Sequence, residues 1–156
     1  MELKYFGEPK DYGWLNFYVN DKHETVIEIS YINTHLIKRF LEAFILLYKT
    51  KQPQVVFLDN EGEEHYIVFD YYNWFIVECD ENNELITYTD NRATIHIIKD
   101  FLRSVDEHFD KWINFNYLEL EDFPKEEQEK IKKEYAKERT QYKRLIKKLK
   151  DYVQLY

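Results

Sequence analysis

The sequence predicts an α+β fold: an antiparallel sheet of about six to seven strands packed by two amphipathic helices, plus a long C-terminal helix. Three features lead there. Short stretches of alternating apolar and polar residues recur between polar turns, two segments repeat apolar residues at helical spacing, and the last segment is charged except along one line.

Taken in order, ELKYF and GWLNFYVN read as short strands joined by a turn around Gly7, Pro9 and Gly13. ETVIEISYI alternates, with Val26, Glu28 and Ser30 on one face and Ile27, Ile29 and Tyr31 on the other, and Asp21 and Lys22 form the tight connection before it. Asn33 or Thr34 is the expected cap of a helix running to about Lys49. Its core stripe is Ile37, Phe40, Leu41, Phe44, Leu47 and Tyr48, widened by Ile45 and Leu46. QVVFLD, the turn NEGE with Gly62, and EHYIVFD give a hairpin. NWFIVEC and ELITYT follow across the turn DENN, making four successive antiparallel strands from Gln54 to Thr89. In NWFIVEC the set Phe75, Val77 and Cys79 is expected in the core, with Trp74, Ile76 and Glu78 on the opposite, mixed face.

The clearest helix carries Ile95, Ile98, Leu102, Val105, Phe109 and Trp112 in one line, with Asp90 or Asn91 as cap. Pro124 opens the last helix at its first turn. There Tyr135, Tyr142, Leu149 and Tyr156 recur every seven residues, with Ile131, Leu145 and Tyr152 between them, a heptad seam interrupted by Glu138. Glu126–Lys130 and Glu129–Lys133 are supporting i,i+4 pairs. The expected division is an acidic α+β domain over residues 1–122 and a basic C-terminal helix over 123–156, docked on the domain or on a partner.

A chain of 156 residues buries roughly 68–70% of its unfolded surface and needs no staple. With 44% hydrophobic and 33% charged residues it is a folded protein rather than a disordered one. The opening MELKYFGEPKDYGW has no basic stretch ahead of an apolar run, so no secretory signal is expected. FLEAFILLY falls short of the ~20 residues of a membrane span. The lone Cys79 closes no internal disulfide and reads as a small apolar strand residue. A cytoplasmic location follows, and the abundance of Lys, Ile, Asn, Tyr and Phe suggests a bacterial or phage origin.

Three isolated glycines, Gly7, Gly13 and Gly62, exclude a phosphate-cradling loop. There is no G-x-S-x-G, H-E-x-x-H or C-x-x-C. Among the five histidines, His96 and Asp100 lie four apart on a helix, a spacing a metal ion can use, but a solvated polar face is the simpler account. Glu63, Glu64 and His65 cluster in EGEEH, read as a soluble turn because adjacent strand residues point to opposite faces. No catalytic, cofactor-binding or metal-binding residues are assigned, and no cofactor and no enzymatic activity are expected.

What remains is charge and aromaticity. Net charge is −8, and 18% of the residues are aromatic. Through Pro124 there are 24 acids against 11 bases, a balance of −13, whereas the remainder has 6 acids and 11 bases, or +5. An acidic body repels nucleic acid and attracts basic proteins. The stretch FDYYNWFIVECDENNELITYTD carries six carboxylates and no lysine or arginine. Its residues Asp70, Tyr72, Trp74, Asp80, Glu81, Glu84, Tyr88 and Asp90 are the candidate partner-binding set, since rings supply contact area and carboxylates supply steering. The expected function is a stoichiometric protein-binding module, an immunity or inhibitor protein that neutralises a basic toxin or nuclease. The alternatives are a mimic of nucleic-acid charge that blocks a DNA- or RNA-binding protein, and a small enzyme using carboxylates and histidine. Direct nucleic-acid binding through Lys143, Arg144, Lys147, Lys148 and Lys150 is opposed by the acidic body. No membrane partner is expected, and a homodimer is possible through Tyr135, Tyr142 and Leu149.

Overall fold

The computed structural model describes residues 6–9, 14–19, 25–30, 35–114 and 120–154. The fold is α+β, but the strands divide between two antiparallel sheets where one was expected. The smaller sheet is β1 (Gly7–Pro9), β2 (Trp14–Val19) and β3 (Thr25–Ser30) in that order, and the larger is β4 (Gln54–Asn60), β5 (Glu63–Phe69), β6 (Trp74–Cys79) and β7 (Leu85–Thr89). Helix α1 (Leu36–Thr50) separates β3 from β4 in sequence, and these strands approach each other without a shared ladder.

Most of the first expected strand, ELKYF, lies outside the described residues, as do Asp21 and Lys22, the caps Asn33 and Thr34, and Tyr156. Gly7 and Pro9 are strand residues rather than the expected turn. Gly7 is there for close approach: a Cβ would stand 3.0 Å from the Phe17 ring and 3.1 Å from Trp112. Its carbonyl accepts the Ser104 hydroxyl at 2.6 Å, and that hydroxyl accepts the Trp112 indole N–H at 3.1 Å. One buried serine thus satisfies two polar groups that would otherwise be stranded.

The core is a nest of rings. Phe6 just ahead of β1, Phe40 and Phe44 from α1, Phe69 and Trp74 from the large sheet, and Phe101 from α2 (Thr94–Glu107) are all buried. Ring centroids meet at 4.8 Å for Phe44–Phe69 and 5.0 Å for Phe6–Trp74, in edge-on geometry. Trp74 and Ile76 face inward, while Phe75, Val77 and Cys79 lie half-buried on the outside. The expected sidedness of β6 is therefore reversed. Both faces of that strand are apolar at Phe75 and Val77 as well as at Trp74 and Ile76, so alternation fixed the period without its sign.

The loops of the large sheet follow from their residues. Glu61 and Gly62 both take positive φ, 56° and 114°, between the closing pair Asn60 and Glu63, a two-residue turn whose twist suits antiparallel strands. Asp70 Oδ1 accepts the backbone N–H of Tyr72 (2.7 Å) and Asn73 (2.6 Å), closing β5 onto β6. Asp80 Oδ1 does the same for Asn82 (2.9 Å) and Glu84 (2.8 Å) between β6 and β7.

Helix α2 begins at Thr94, with Ala93 rather than Asp90 or Asn91 in the cap position, and it breaks at His108. The short α3 (Phe109–Asn114) carries the line on to Trp112. After a 3₁₀ turn at Leu120–Asp122, α4 runs from Lys125 to Gln154. Its buried residues are Tyr142, Ile146, Leu149 and Val153, in the C-terminal half only, and it packs on α1 and α2 of the same chain. The seam residues Tyr142 and Leu149, through which a homodimer was possible, are buried inside the protomer, and Tyr135 is half-buried. Lys150 Nζ meets Asp106 at 2.6 Å and Arg139 pairs with Asp110, so the basic helix finds its acids within the chain. Glu129 pairs with Lys132, three residues on, at 3.6 Å.

Candidate functional site

The eight candidate residues do not form one patch. Trp74 is 2% exposed and donates its indole N–H to the Arg92 carbonyl (3.1 Å), so it belongs to the core. The Asp90 side chain is fully buried, and Arg92 grips both its oxygens, Nη2 to Oδ2 at 2.7 Å and Nε to Oδ1 at 3.0 Å. The same guanidinium donates to the Tyr18 carbonyl at 2.8 Å and approaches Asp100 at 3.6 Å, joining the small sheet to α2. Asp70 and Asp80 are turn-builders. These three aspartates are occupied by their own chain because Asp accepts local backbone N–H groups readily.

The rest are divided by the length of β6. Tyr72, 71% exposed, sits at one end in a tyrosine row: its ring is 5.0 Å from Tyr71, which is 5.9 Å from Tyr48 and lies under the Lys51 ammonium at 4.1 Å. Glu81 and Glu84 are at the other end, roughly 15–20 Å away at about 3.3 Å per strand residue. Glu81 borders a shallow pocket of about 350 Å³ with Asn60, Glu61, Gly62 and Glu63, so the β4–β5 and β6–β7 turns together make an acidic rim. Tyr88 is half-buried on the inner face, its hydroxyl 3.3 Å from Glu78 Oε2. Burial first, then the Glu78 charge, pushes the Tyr88 phenol above its ordinary value.

Sequence reasoning missed the outer face of the large sheet. Register aligns Val55, Val68 and Phe75 in one row, Phe57, Tyr66 and Val77 in the next, and Cys79 with Leu85 beyond. None of these side chains joins the core, and Val55 is 56% and Leu85 69% exposed. From Gln52 to Asn91 the sequence holds no lysine or arginine, and β4 through β7 with their turns carry nine carboxylates. The α1 guanidinium of Arg39 bonds the Phe57 carbonyl on β4. At the other margin Leu85, Ile86, Thr87 and Thr89 of β7 are exposed, and among the described residues β7 pairs only with β6. The signal was present as the second apolar set in QVVFLD, HYIVF and WFIVEC; in β6 that set, Phe75, Val77 and Cys79, was expected in the core, and the structure places it on the outer face.

A second cluster lies at the acidic end, on the inner side. Glu63 and His65 are two apart on β5 and share a face, and the register places Glu78 of β6 opposite His65. His65 Nε2 is 3.0 Å from Glu78 Oε2. These three offer donor atoms all within 4.8 Å of one another, the one such metal-capable group among the described residues. Taking Glu63 to His65 as a plain turn overlooked that alternate residues converge. His96 and Asp100 form no such group among the described residues.

Comparison with protein-family models, curated proteins and solved structures finds no match for this chain. No described helix is long and apolar enough to cross a membrane.

Proposed function

We propose that this protein is a non-catalytic binding module for a cationic protein, and more narrowly an immunity or inhibitor protein that caps a basic toxin or nuclease. The observation that carries the reading is the outer face of the large sheet: exposed apolar rows bounded by an acidic rim, in a stretch without a single basic residue. Four strands about 4.8 Å apart and about 3.3 Å per residue give a face roughly 15–20 Å on a side. That is less than the ~800 Å² each partner contributes to a standard interface. The acidic turns supply the remainder, so the partner must contact both. Rows of Val55, Phe57, Val77 and Leu85 give area to desolvate, and the rim carboxylates steer a basic partner, a combination that supports association at about 10⁸–10⁹ M⁻¹s⁻¹ at low salt. A mimic of nucleic-acid charge needs the acids but has no use for the apolar rows.

The test is capture on immobilised protein from the native cell, washed at low and at high salt, with two variants alongside. Phe57→Ser with Leu85→Ser removes contact area, and Glu81→Lys with Glu84→Lys reverses the rim. The expected result is one basic protein held at unit stoichiometry, largely kept at high salt, and lost by both variants. A partner that leaves entirely at high salt and ignores the serine variant would favour the charge mimic; retention of acidic proteins, or of none, defeats the proposal.

A further inference from the structure

We infer that Glu63, His65 and Glu78 form a binding site for one divalent transition-metal ion of the zinc or manganese class. The site is separate from the outer sheet face, because these side chains point to the inner side of the same strands. Strand alternation brings Glu63 and His65 to one face, and antiparallel register sets Glu78 directly across from His65, so the ligands come from adjacent strands fixed by ladder hydrogen bonds. Two carboxylates and a neutral imidazole match a dication in charge, and a mixed oxygen and nitrogen set favours d-block ions over calcium or magnesium.

The spacing fits. Donors sharing an ion at about 2.0–2.2 Å stand no more than about 4.4 Å apart. The present donors lie within 4.8 Å, and the closest pair, His65 Nε2 and Glu78 Oε2, at 3.0 Å. Tetrahedral donors at that bond length stand about 3.4 Å apart, so closure asks for up to about 1.4 Å, which the exposed Glu63 side chain provides by rotation.

Two independent observations point to a ligand. His65 is 2% exposed, in a strand position flanked on its own face by Ile67 and across the ladder by Leu58, and its Nδ1 has no hydrogen-bond partner. Ligation through Nε2 would leave Nδ1 unpaired, so that atom is no donor to the ion; what marks the position is a polar ring where an apolar residue would cost less, with its Nε2 turned to the Glu78 carboxylate. Beside the cluster lies a cleft of about 280 Å³ whose lining continues through Glu28, Asn60 and Tyr88. Those oxygens and the open volume leave room for water on the remaining coordination positions. The Tyr88 hydroxyl, 3.3 Å from Glu78 Oε2, fixes the orientation of that carboxylate as an outer-sphere partner does.

The experiment uses the full chain without a histidine tag, stripped with chelator and titrated separately with zinc chloride and manganese chloride by calorimetry, with thermal unfolding in parallel. One ion per chain and a higher unfolding midpoint are expected. Glu63→Gln, at an exposed position that leaves the fold intact, weakens binding by about tenfold or more. His65→Gln abolishes it, and His96→Gln leaves it unchanged. Absence of saturable one-to-one binding overturns the inference; so does binding untouched by Glu63→Gln, or binding that disappears with His96→Gln.

Discussion

At the scale of single residues, Arg92 carries more of the structure than its sequence context announces. It is the first basic residue after Lys51, and it neutralises the buried Asp90 side chain while reaching Tyr18 and Asp100. Removing one partner of a buried pair strands the other charge, so Arg92→Ala should destabilise the protein by about 3–5 kcal/mol in urea unfolding. Arg92→Lys should recover only part of this, because an ammonium cannot make the two-pronged contact. Tyr142 is the other residue with a clear energetic signature. Burial, then the charges of Glu138 and Glu42, hold its phenol above the ordinary value, and its oxygen lies 3.2 Å from His35 Nδ1. A raised folded pKa means that the unfolded chain loses its proton first as pH climbs. The stabilising contribution is complete below the unfolded value of about 10 and disappears as pH rises through the higher folded one. Tyr142→Phe should therefore lose less stability than wild type between neutral pH and the alkaline range, measured by denaturant unfolding across pH. The aspartates teach the converse lesson: Asp70, Asp80 and Asp90 were read as a binding surface, when Asp followed closely by Asn or Arg in a turn is an acceptor for its own neighbours.

At the scale of elements, the helices and the four successive strands were legible because their apolar periods are long and their turns are marked. The α1 stripe landed in the core except for Leu46, which is 44% exposed, and in the second line Ile98, Leu102, Val105 and Trp112 are buried while Ile95 and Phe109 are half-buried. The heptad of α4 was read in part: Tyr142 and Leu149 are buried, but the other buried positions are Ile146 and Val153 rather than Leu145 and Tyr152, and the helices they meet, α1 and α2, belong to the same chain. Leu149→Ala should accordingly cost about 2–5 kcal/mol, whereas Ile131→Ala, at a half-buried position in the half of α4 that holds no fully buried residue, should cost under about 1 kcal/mol in the same unfolding assay. Equal effects would mean that α4 docks along its whole length. The Glu63–His65–Glu78 cluster was legible in principle: a four-residue connection that pairs Phe69 with Trp74 counts back to His65 opposite Glu78. What could not be read was which side of β6 faces inward, since that depends on where α1 and the small sheet settle.

At the scale of the whole molecule, the charge imbalance is spatial as well as sequential. The large sheet has no cation of its own, while the basic α4 is partly spent on Asp106 and Asp110. Between about 0.01 M and 0.15 M salt the screening length falls from about 30 to about 8 Å, so self-repulsion around the acidic rim should fade. The unfolding midpoint of wild type should rise over that range. Glu81→Lys with Glu84→Lys should start higher and respond less, a gain in stability obtained at the expense of the proposed partner. The overall acidity was visible in composition alone, but its confinement to one sheet needed the register. That confinement also governs how any complex can be mapped. Trypsin finds no bond to cut after Lys51 until Arg92, so the entire sheet travels as a single peptide in a digest. Amine-directed cross-linkers have nothing to seize there; a coupling chemistry that activates carboxyl groups toward the lysines of a bound protein would report on this surface, and the usual reagents would leave it blank.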